Sequence, residues 1–206
     1  MTGQNRTPLF ALLVANSISQ FGNTLSYLAI PWFVLEVTGS ASLTGIAVAA
    51  RTFPVIILGL FGGVVVDRLG YRKASVISDV ASGLTIVSIP LLYLTAGLEY
   101  WQLLVLIFLG AVLDMPGAAA RRSLLPELAT IAGMRLERAN VSYQLTNRTA
   151  MLFGPPVAGV LVGLIGASNV LWFNGATFAL SSIAIVLGVP RLVDVLVGEE
   201  SCAPAP

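Results

Sequence analysis

The sequence predicts an all-α membrane protein with six transmembrane helices in two inverted three-helix repeats. Of its 206 residues, 56% are hydrophobic and only 10% are charged, too few polar side chains to surround a soluble core. Six apolar runs are each long enough to cross a hydrocarbon layer about 30 Å thick. The basic residues fall on one side of these runs, which an even number of crossings explains.

Short connections separate most of the six runs, so neighbouring helices are predicted to be antiparallel. The predicted spans are residues 9–35, 43–66, 74–96, 101–120, 139–165 and 169–189. Only the connection 121–138 is long enough for an amphipathic segment. Residues 1–192 thus form one predicted bundle. Residues 193–206 lack periodicity and are predicted to be a disordered tail or the start of a linker.

The basic residues outside the spans predict the orientation of the bundle. They are Arg6, Arg68, Arg72, Lys73, Arg121, Arg122, Arg135, Arg138 and Arg191. The loops on the opposite side carry only Glu36 and Glu99. By the positive-inside rule, both termini are expected to be cytoplasmic, in a multi-pass protein of the inner or plasma membrane.

The first span carries a polar stripe along one helix face. Its members are Asn16, Ser19, Gln20, Asn23, Ser26 and Tyr27, at spacings of three and four residues. Lipid is an unfavourable neighbour for such a stripe, which must therefore face other helices or water. Hydrogen bonding between helices could account for any single member, but six on one face favour a cavity.

Four ionisable residues lie inside the predicted spans: Arg51, Asp79, Asp114 and Arg148. Each costs about 2.5–3.5 kcal/mol at mid-helix unless it finds a partner or water. Asp79 lies near the end of its span and is expected to reach interfacial charges. Asp114 and Arg148 have similar depths, so we expect them to be paired or bridged by water.

A second polar face surrounds Arg148 on the fifth span. It comprises Asn140, Gln144, Asn147 and Arg148 at helical spacing, and we expect it to oppose the stripe of the first span. Together with Arg51, these two faces are the candidate substrate cavity. The pair Arg51-Thr52 precedes Pro54 much as Arg148-Thr149 precedes Pro155, and this echo indicates the two three-helix repeats.

The loop between the second and third spans is a short charged hairpin. It supplies Gly63, Asp67, Arg68, Gly70, Arg72 and Lys73. Over residues 5–192 the chain resembles the N-terminal half of a major facilitator superfamily transporter, whose signature in this loop is G-x-x-x-D-R-x-G-R-R/K. Tyr71 stands where that family usually has a basic residue. The segments ISQFGNTLSYLAIPWFVLEVTGS and DMPGAAARRSLLPEL are similar to the enterobactin-exporter and macrolide-efflux branch of drug:proton antiporters.

The resemblance implies a function for several residues. Asp67 and Arg68 would belong to a cytosolic gate, with Arg121 or Arg122 as the partner of Asp67. Gly154, Pro155 and Gly159 match part of the family's antiporter motif, in which Ala150 and Ala158 replace glycines. The implied activity is proton-coupled efflux of a small hydrophobic or cationic compound. Burial and a nearby arginine act in opposite directions on a carboxylate, so we expect Asp114 to carry the proton.

Members of that family have twelve helices in two halves, with the substrate site between them. Six helices therefore lack an opposing wall. We expect a missing C-terminal half, a second copy or a separate partner, and favour a truncated product. A remnant or membrane scaffold that does not transport is the alternative function.

The residue inventory argues against an enzyme. The chain contains no His, one Cys and isolated intramembrane carboxylates, which excludes a Ser-His dyad and indicates no metal site. Gly59, Gly62 and Gly63 lack the GK[ST] context of a nucleotide loop. No cofactor and no nucleic-acid partner are predicted; the expected partners are the bilayer, a small molecule and protons.

Overall fold

A computed structural model describes residues 5–58, 66 and 68–190 of the chain. Over these ranges the backbone forms six helices of 18 to 32 residues and no strand. They are α1 (Thr7–Thr38), α2 (Ala41–Leu58), α3 (Tyr71–Thr95), α4 (Tyr100–Ile131), α5 (Leu136–Ile165) and α6 (Ala167–Gly188). The all-helical prediction is confirmed. The predicted tail 193–206 lies outside the described residues.

The helix ends follow local chemistry in the sequence. Gly39, with φ of 64°, ends α1, and its N–H donates to the carbonyl of Leu35 at 2.8 Å. Glycine adopts this left-handed conformation without the steric cost of a Cβ. At the start of α4, the N–H of Glu99 donates to the side chain of Gln102 at 3.1 Å, as in a capping box.

The helix that contains the fourth predicted span extends beyond Ala120. The helix continues for eleven more residues to Ile131, because Leu124, Leu125 and Leu128 bury one face against the bundle. The long loop 121–138 is therefore a helical extension followed by a short connection.

Four of the helices meet the length and hydropathy expected of membrane spans: α3, α4, α5 and α6. The polar stripe lowers the mean hydropathy of α1, and α2 is described only as far as Leu58. Large apolar side chains point outward over the bundle, such as Leu84 at 65% exposure and Leu187 at 82%. A continuous apolar exterior of this kind suits a lipid environment.

The helices pack in a pattern with internal correspondence. α1 packs most extensively on α6 and α5, whereas α4 packs on α3 and α2. α3 also packs on α6 through Gly83, whose missing side chain leaves 3.1 Å between an added Cβ and Phe178. Exchanging the first three helices for the last three, in order, maps these main contacts onto one another.

Two apolar clusters occupy opposite ends of the bundle. One contains Leu25, Phe33 and Phe178, and the other contains Leu12 and Leu128. Buried polar residues come from four of the helices: Asn16, Ser19 and Ser26 of α1, Ser75, Ser78, Asp79 and Ser82 of α3, Arg121 of α4, and Asn174, Ser181 and Ser182 of α6. We call this set the polar layer. It positions the candidate site.

Candidate functional site

A fully buried ion pair lies within the polar layer. Nη1 of Arg121 is 2.8 Å from Oδ1 of Asp79, and neither side chain has any exposed surface. Ser181 donates its hydroxyl to Oδ2 of Asp79 at 2.7 Å. The Nη atoms of Arg121 also donate to Ser75 at 3.4 Å and to Ser19 at 3.3 Å. One charge pair therefore joins α1, α3, α4 and α6.

The buried pair corrects two predictions. Asp79 does not reach interfacial charges but binds Arg121 inside the bundle. Arg121 is not a loop residue available to Asp67; it is helical and already paired. The sequence gives depth along a helix but not the rotation of that helix. For this reason, the sequence predicted neither the extension of α4 nor the direction in which the Asp79 side chain points.

Asp114 lies in a smaller cavity beside the polar layer. Nδ2 of Asn23 donates to its Oδ2 at 2.9 Å, and Nη2 of Arg51 donates to the backbone carbonyl of Asn23 at 3.2 Å. Asp114 and Arg51 both line this cavity, which has a volume of about 300 Å³. Its walls also include apolar side chains of four helices: Ile30, Ile86, Ile107 and Phe178.

Each of the two charged residues in this cavity keeps an unpartnered polar atom. Oδ1 of Asp114 and Nη1 of Arg51 are buried and have no hydrogen-bond partner among the described residues. Arg51 also lies over the ring of Tyr27, with its Cζ 5.5 Å from the ring centroid. The cavity thus offers one acceptor and one donor to a ligand or water.

The expected pairing of Asp114 with Arg148 is wrong. Among the described residues, Asp114 is bonded to Asn23 and interacts electrostatically with Arg51 and Arg121. Arg148 lines a different cavity. Similar depth did not bring the two residues together, because they lie on opposite sides of α1.

The second cavity is larger and predominantly polar. It has a volume of about 660 Å³ and lies where α1, α4 and α5 meet. Its lining comprises Gln20, Arg122, Leu125, Asn140, Tyr143, Gln144, Asn147, Arg148 and Met151. We call it the arginine cavity. Gln20 lines both this cavity and that of Asp114.

The two predicted polar faces do oppose one another. Nδ2 of Asn16 on α1 donates to Oδ1 of Asn147 and to Thr146 on α5, each at 2.8 Å. The residues of the stripe have different roles, however. Asn16, Ser19 and Ser26 are buried in contacts between helices, whereas Gln20 and Asn23 line cavities. Tyr27 is 63% exposed.

Apolar side chains of α1 and α5 form a third cavity. Phe10, Ile18 and Phe21 line it from α1, and Leu145 lines it from α5, around a volume of about 680 Å³. This space is suited to an apolar molecule or chain.

Comparison with known proteins identifies the fold family. The sequence profile of the Major Facilitator Superfamily matches residues 12–200. The chain belongs to the Major Facilitator Superfamily. It is therefore a multi-pass membrane protein of a transporter family rather than a member of an enzyme family.

Several curated members of the superfamily are similar to this chain. The multidrug efflux pump Tap of Mycolicibacterium fortuitum is 36% identical over 188 residues, which are 90% of this chain and 46% of Tap. Tap of Mycobacterium tuberculosis H37Rv is 34% identical, with 90% and 45% covered. The uncharacterised transporter YfiS of Bacillus subtilis is 26% identical, with 91% and 43% covered. The chain spans about half the length of these relatives. No solved structure matches it.

The superfamily signature loop is only partly described. Gly63 and Asp67 lie outside the described residues, so their predicted gate contacts are untested. Arg68 and Lys73 are exposed, and Gly70 has a φ of 80° immediately before α3.

Arg72, in the first turn of α3, anchors the end of another helix. Its Nε donates to the carbonyl of Val189 and its Nη2 to that of Val186, both at 2.7 Å. These carbonyls end α6, where a cation also complements the helix dipole. Arg72 therefore fixes the start of α3 against the end of α6.

The antiporter-motif residues of α5 differ in their contacts. A Cβ at Gly154 would overlap the side chain of Thr24, so the glycine permits close approach of α1. Pro155 is exposed, Gly159 has only Leu28 nearby at 3.8 Å, and a Cβ at Gly163 would meet nothing within 4 Å. Close packing thus centres on Gly154 rather than on Gly159 or Gly163.

Sequence reasoning missed two contributors to the site. Arg121 was counted as a loop charge. The signal for its burial was that Arg121 and Arg122 are adjacent in a helix, so their side chains point in different directions and one of them can face the bundle. Asn174 was also missed. Its Nδ2 donates to the hydroxyl of Ser26 at 2.6 Å, which joins α6 to α1. Among the described residues, no group of His, Cys, Asp and Glu is placed to hold a metal.

Proposed function

We propose that this chain is half of a secondary active transporter that exports a small hydrophobic or cationic compound in exchange for protons. The observation that carries the proposal is the Asp114 cavity, in which a titratable carboxylate with one unpartnered oxygen meets apolar walls. The similarity to multidrug efflux pumps named Tap supports the direction of export.

Asp114 suits the role of proton carrier because its surroundings combine opposing influences. Its carboxylate shares a cavity with the guanidinium of Arg51 and with apolar walls, and a nearby cation and an apolar surrounding act on a carboxylate in opposite directions. A helix movement that changes the distance between Asp114 and Arg51 would alter proton affinity. A cationic substrate would compete with the proton for the same carboxylate.

We infer that a second set of six helices completes the carrier. The arginine cavity is lined by α1, α4 and α5, and the Asp114 cavity by α1, α2, α3, α4 and α6. Alternating access needs an opposing wall that these six helices do not supply. A C-terminal half, a second copy or a separate partner would supply it. The corresponding packing of α1–α3 and α4–α6 supports two inverted repeats within this half.

The orientation and the gate belong to the same proposal. Cytoplasmic termini would put Asp67, Arg68 and Arg122 at the cytosolic end, in the plasma membrane of the cell. There, Arg122 is the remaining candidate partner for Asp67, since Arg121 is paired with Asp79.

The test is dye efflux from cells that express this chain alone or together with a six-helix C-terminal half, with ethidium as the probe and an imposed pH gradient as the driving force. We expect proton-driven efflux, and its loss in Asp114→Asn. Glu137→Gln, which removes an exposed carboxylate paired only with Arg135, is the matched control and should transport normally. Equal proton coupling in Asp114→Asn and the parent chain would refute the role of Asp114.

A remnant or scaffold that does not transport is the second candidate. It predicts no efflux from any variant of this chain, and restoration of efflux when a six-helix C-terminal half is co-expressed would reject it.

A further inference from the structure

We propose that the arginine cavity is a binding subsite for a monoanionic oxyacid group, such as the carboxylate of a small organic acid. The inference rests on the proposed function in one respect only, that compounds enter this side of the bundle. It extends that function to a chemical class that the Asp114 cavity would repel.

The charge of the lining carries the argument. Two guanidinium groups, Arg122 of α4 and Arg148 of α5, line the cavity, and no carboxylate does so among the described residues. The ion pairs found over the same part of the chain are Asp79 with Arg121 and Arg135 with Glu137. Neither arginine of the cavity is thus neutralised by the described bundle.

The neighbouring residue Arg121 provides an internal comparison. It is adjacent to Arg122 in the chain, yet it points into the polar layer, where its Nη atoms donate to Asp79, Ser75 and Ser19. The bundle therefore supplies an acid for one of two consecutive arginines and leaves the other facing a cavity. While Asp67 does not engage Arg122, a ligand is the source of the missing negative charge.

The uncharged lining adds hydrogen-bond donors. Asn147 accepts from Asn16 through its Oδ1, so its NH₂ group remains to donate. Gln144, Asn140 and Gln20 bring further amide groups to the same space. Tyr143 lies close enough to Arg122 to interact with it electrostatically. An oxyanion binds best where guanidinium and amide N–H groups converge, because it accepts at two oxygens.

Arg148 lies too deep in the bundle to be surrounded by apolar groups alone. It lies twelve residues into the 30-residue α5, about 18 Å along the axis at 1.5 Å per residue. Its side chain is exposed rather than packed. A guanidinium at this depth requires water or a counter-charge, and the cavity of about 660 Å³ has room for both.

The test measures binding and needs no transport. The purified chain is placed in phosphatidylcholine nanodiscs, and binding of radiolabelled benzoate is compared with that of benzamide, its neutral analogue of similar shape. We expect benzoate to bind at least about tenfold more tightly, the difference that one charge-assisted hydrogen bond makes. Arg122→Gln and Arg148→Gln should each weaken benzoate binding by about tenfold, with little change for benzamide.

Arg138→Gln is the matched control, because Arg138 is an exposed arginine of α5 outside the cavity lining. Benzoate affinity should be unchanged in this variant. Equal binding of benzoate and benzamide would overturn the proposal, as would an equal loss in Arg138→Gln and Arg148→Gln. If Arg148→Gln fails to fold, Arg148→Lys replaces it; this variant keeps the charge and should keep most of the preference for benzoate. The proposal would also be overturned if folded Arg148→Lys lost that preference while Arg122→Gln retained it.

Two further arms identify the source of the anion and separate the two proposals. Nanodiscs that contain phosphatidylglycerol test a lipid phosphodiester: abolished benzoate binding there would assign the subsite to a lipid headgroup, and unchanged binding would assign it to a soluble acid. Either result supports an oxyanion site. Benzoate binding without ethidium efflux, even when a six-helix C-terminal half is co-expressed, would leave this inference standing and reject the proposed function, whereas efflux without benzoate preference would do the reverse.

Discussion

At the scale of single residues, the ion pair of Asp79 and Arg121 shows how this bundle holds charge away from water. The guanidinium donates to two other helices, α1 and α3, and Ser181 of α6 donates to the carboxylate. A pair of this kind adds little net stability over apolar residues, but removing one partner leaves an uncompensated buried charge. Its contribution is therefore specificity: it sets which helix faces meet.

Asp79→Asn should destabilise the bundle by about 3–5 kcal/mol, because Arg121 would keep its charge without a counter-ion. The double variant Asp79→Asn/Arg121→Met should recover part of that loss, since no charge remains buried. Tryptophan fluorescence during thermal unfolding in detergent measures both effects.

Glu137→Gln is the control for this substitution. Glu137 also pairs with an arginine, but both side chains are about three-quarters exposed, at 74% and 75%. Exposed pairs contribute at most about 1 kcal/mol. A loss in Asp79→Asn no larger than in Glu137→Gln would contradict the structural importance of the buried pair.

The sequence correctly predicted the neighbours of some residues and not of others, and the reason is geometrical. Helical spacing correctly placed Asn16 opposite Asn147 and Gln20 beside Arg148, because one helix face is a property of its own sequence. The partner of Asp114 depends on where three other helices lie. Depth alone therefore suggested Arg148, whereas Asn23 is the observed partner.

At the scale of helices, close contacts depend on small residues, since lipid provides no hydrophobic drive for helices to associate. Gly117 shows the fit: its N–H donates to the hydroxyl of Ser78 at 2.9 Å, and that hydroxyl in turn donates to the carbonyl of Leu113. The sequence indicates where glycines occur. It does not indicate which of them faces a neighbour.

Gly154→Ala and Gly163→Ala test this distinction on one helix. An added Cβ at Gly154 would overlap Thr24, so Gly154→Ala should destabilise by about 1–3 kcal/mol. Gly163→Ala meets nothing within 4 Å and should be neutral or stabilising by up to about 1 kcal/mol. Thermal unfolding in detergent measures both, and equal destabilisation would contradict the packing of α1 on α5.

Arg72→Gln should loosen the end of α6, because two terminal carbonyls would lose charged donors. Hydrogen exchange of peptides that cover Ser181–Gly188 should rise by about tenfold, the effect of one charge-assisted bond. Lys73→Gln removes the neighbouring exposed charge and should leave this exchange unchanged. Equal exchange in the two variants would show that net loop charge, and not the Arg72 contact, orders the helix end.

At the scale of the whole molecule, the surface divides into two kinds of exposure. Much of the exterior is apolar and suits lipid, whereas the arginine cavity exposes polar and charged side chains in the middle of α5. Composition was enough to predict the first kind. The second required the meeting of α1, α4 and α5, which no single helix specifies.

Thiol labelling distinguishes these two surfaces in membranes. In a Cys202→Ser background, Gln144→Cys lies in the arginine cavity and Phe153→Cys on an exposed apolar part of the same helix, with 57% of Phe153 accessible. A membrane-impermeant maleimide should modify Gln144→Cys in inside-out vesicles within minutes and should modify Phe153→Cys only after denaturation in detergent. Maleimides react with the thiolate, which forms in water and not in hydrocarbon. Labelling of Gln144→Cys only from the opposite side would reverse the proposed orientation, and equal resistance of the two variants would show that the arginine cavity is closed to water.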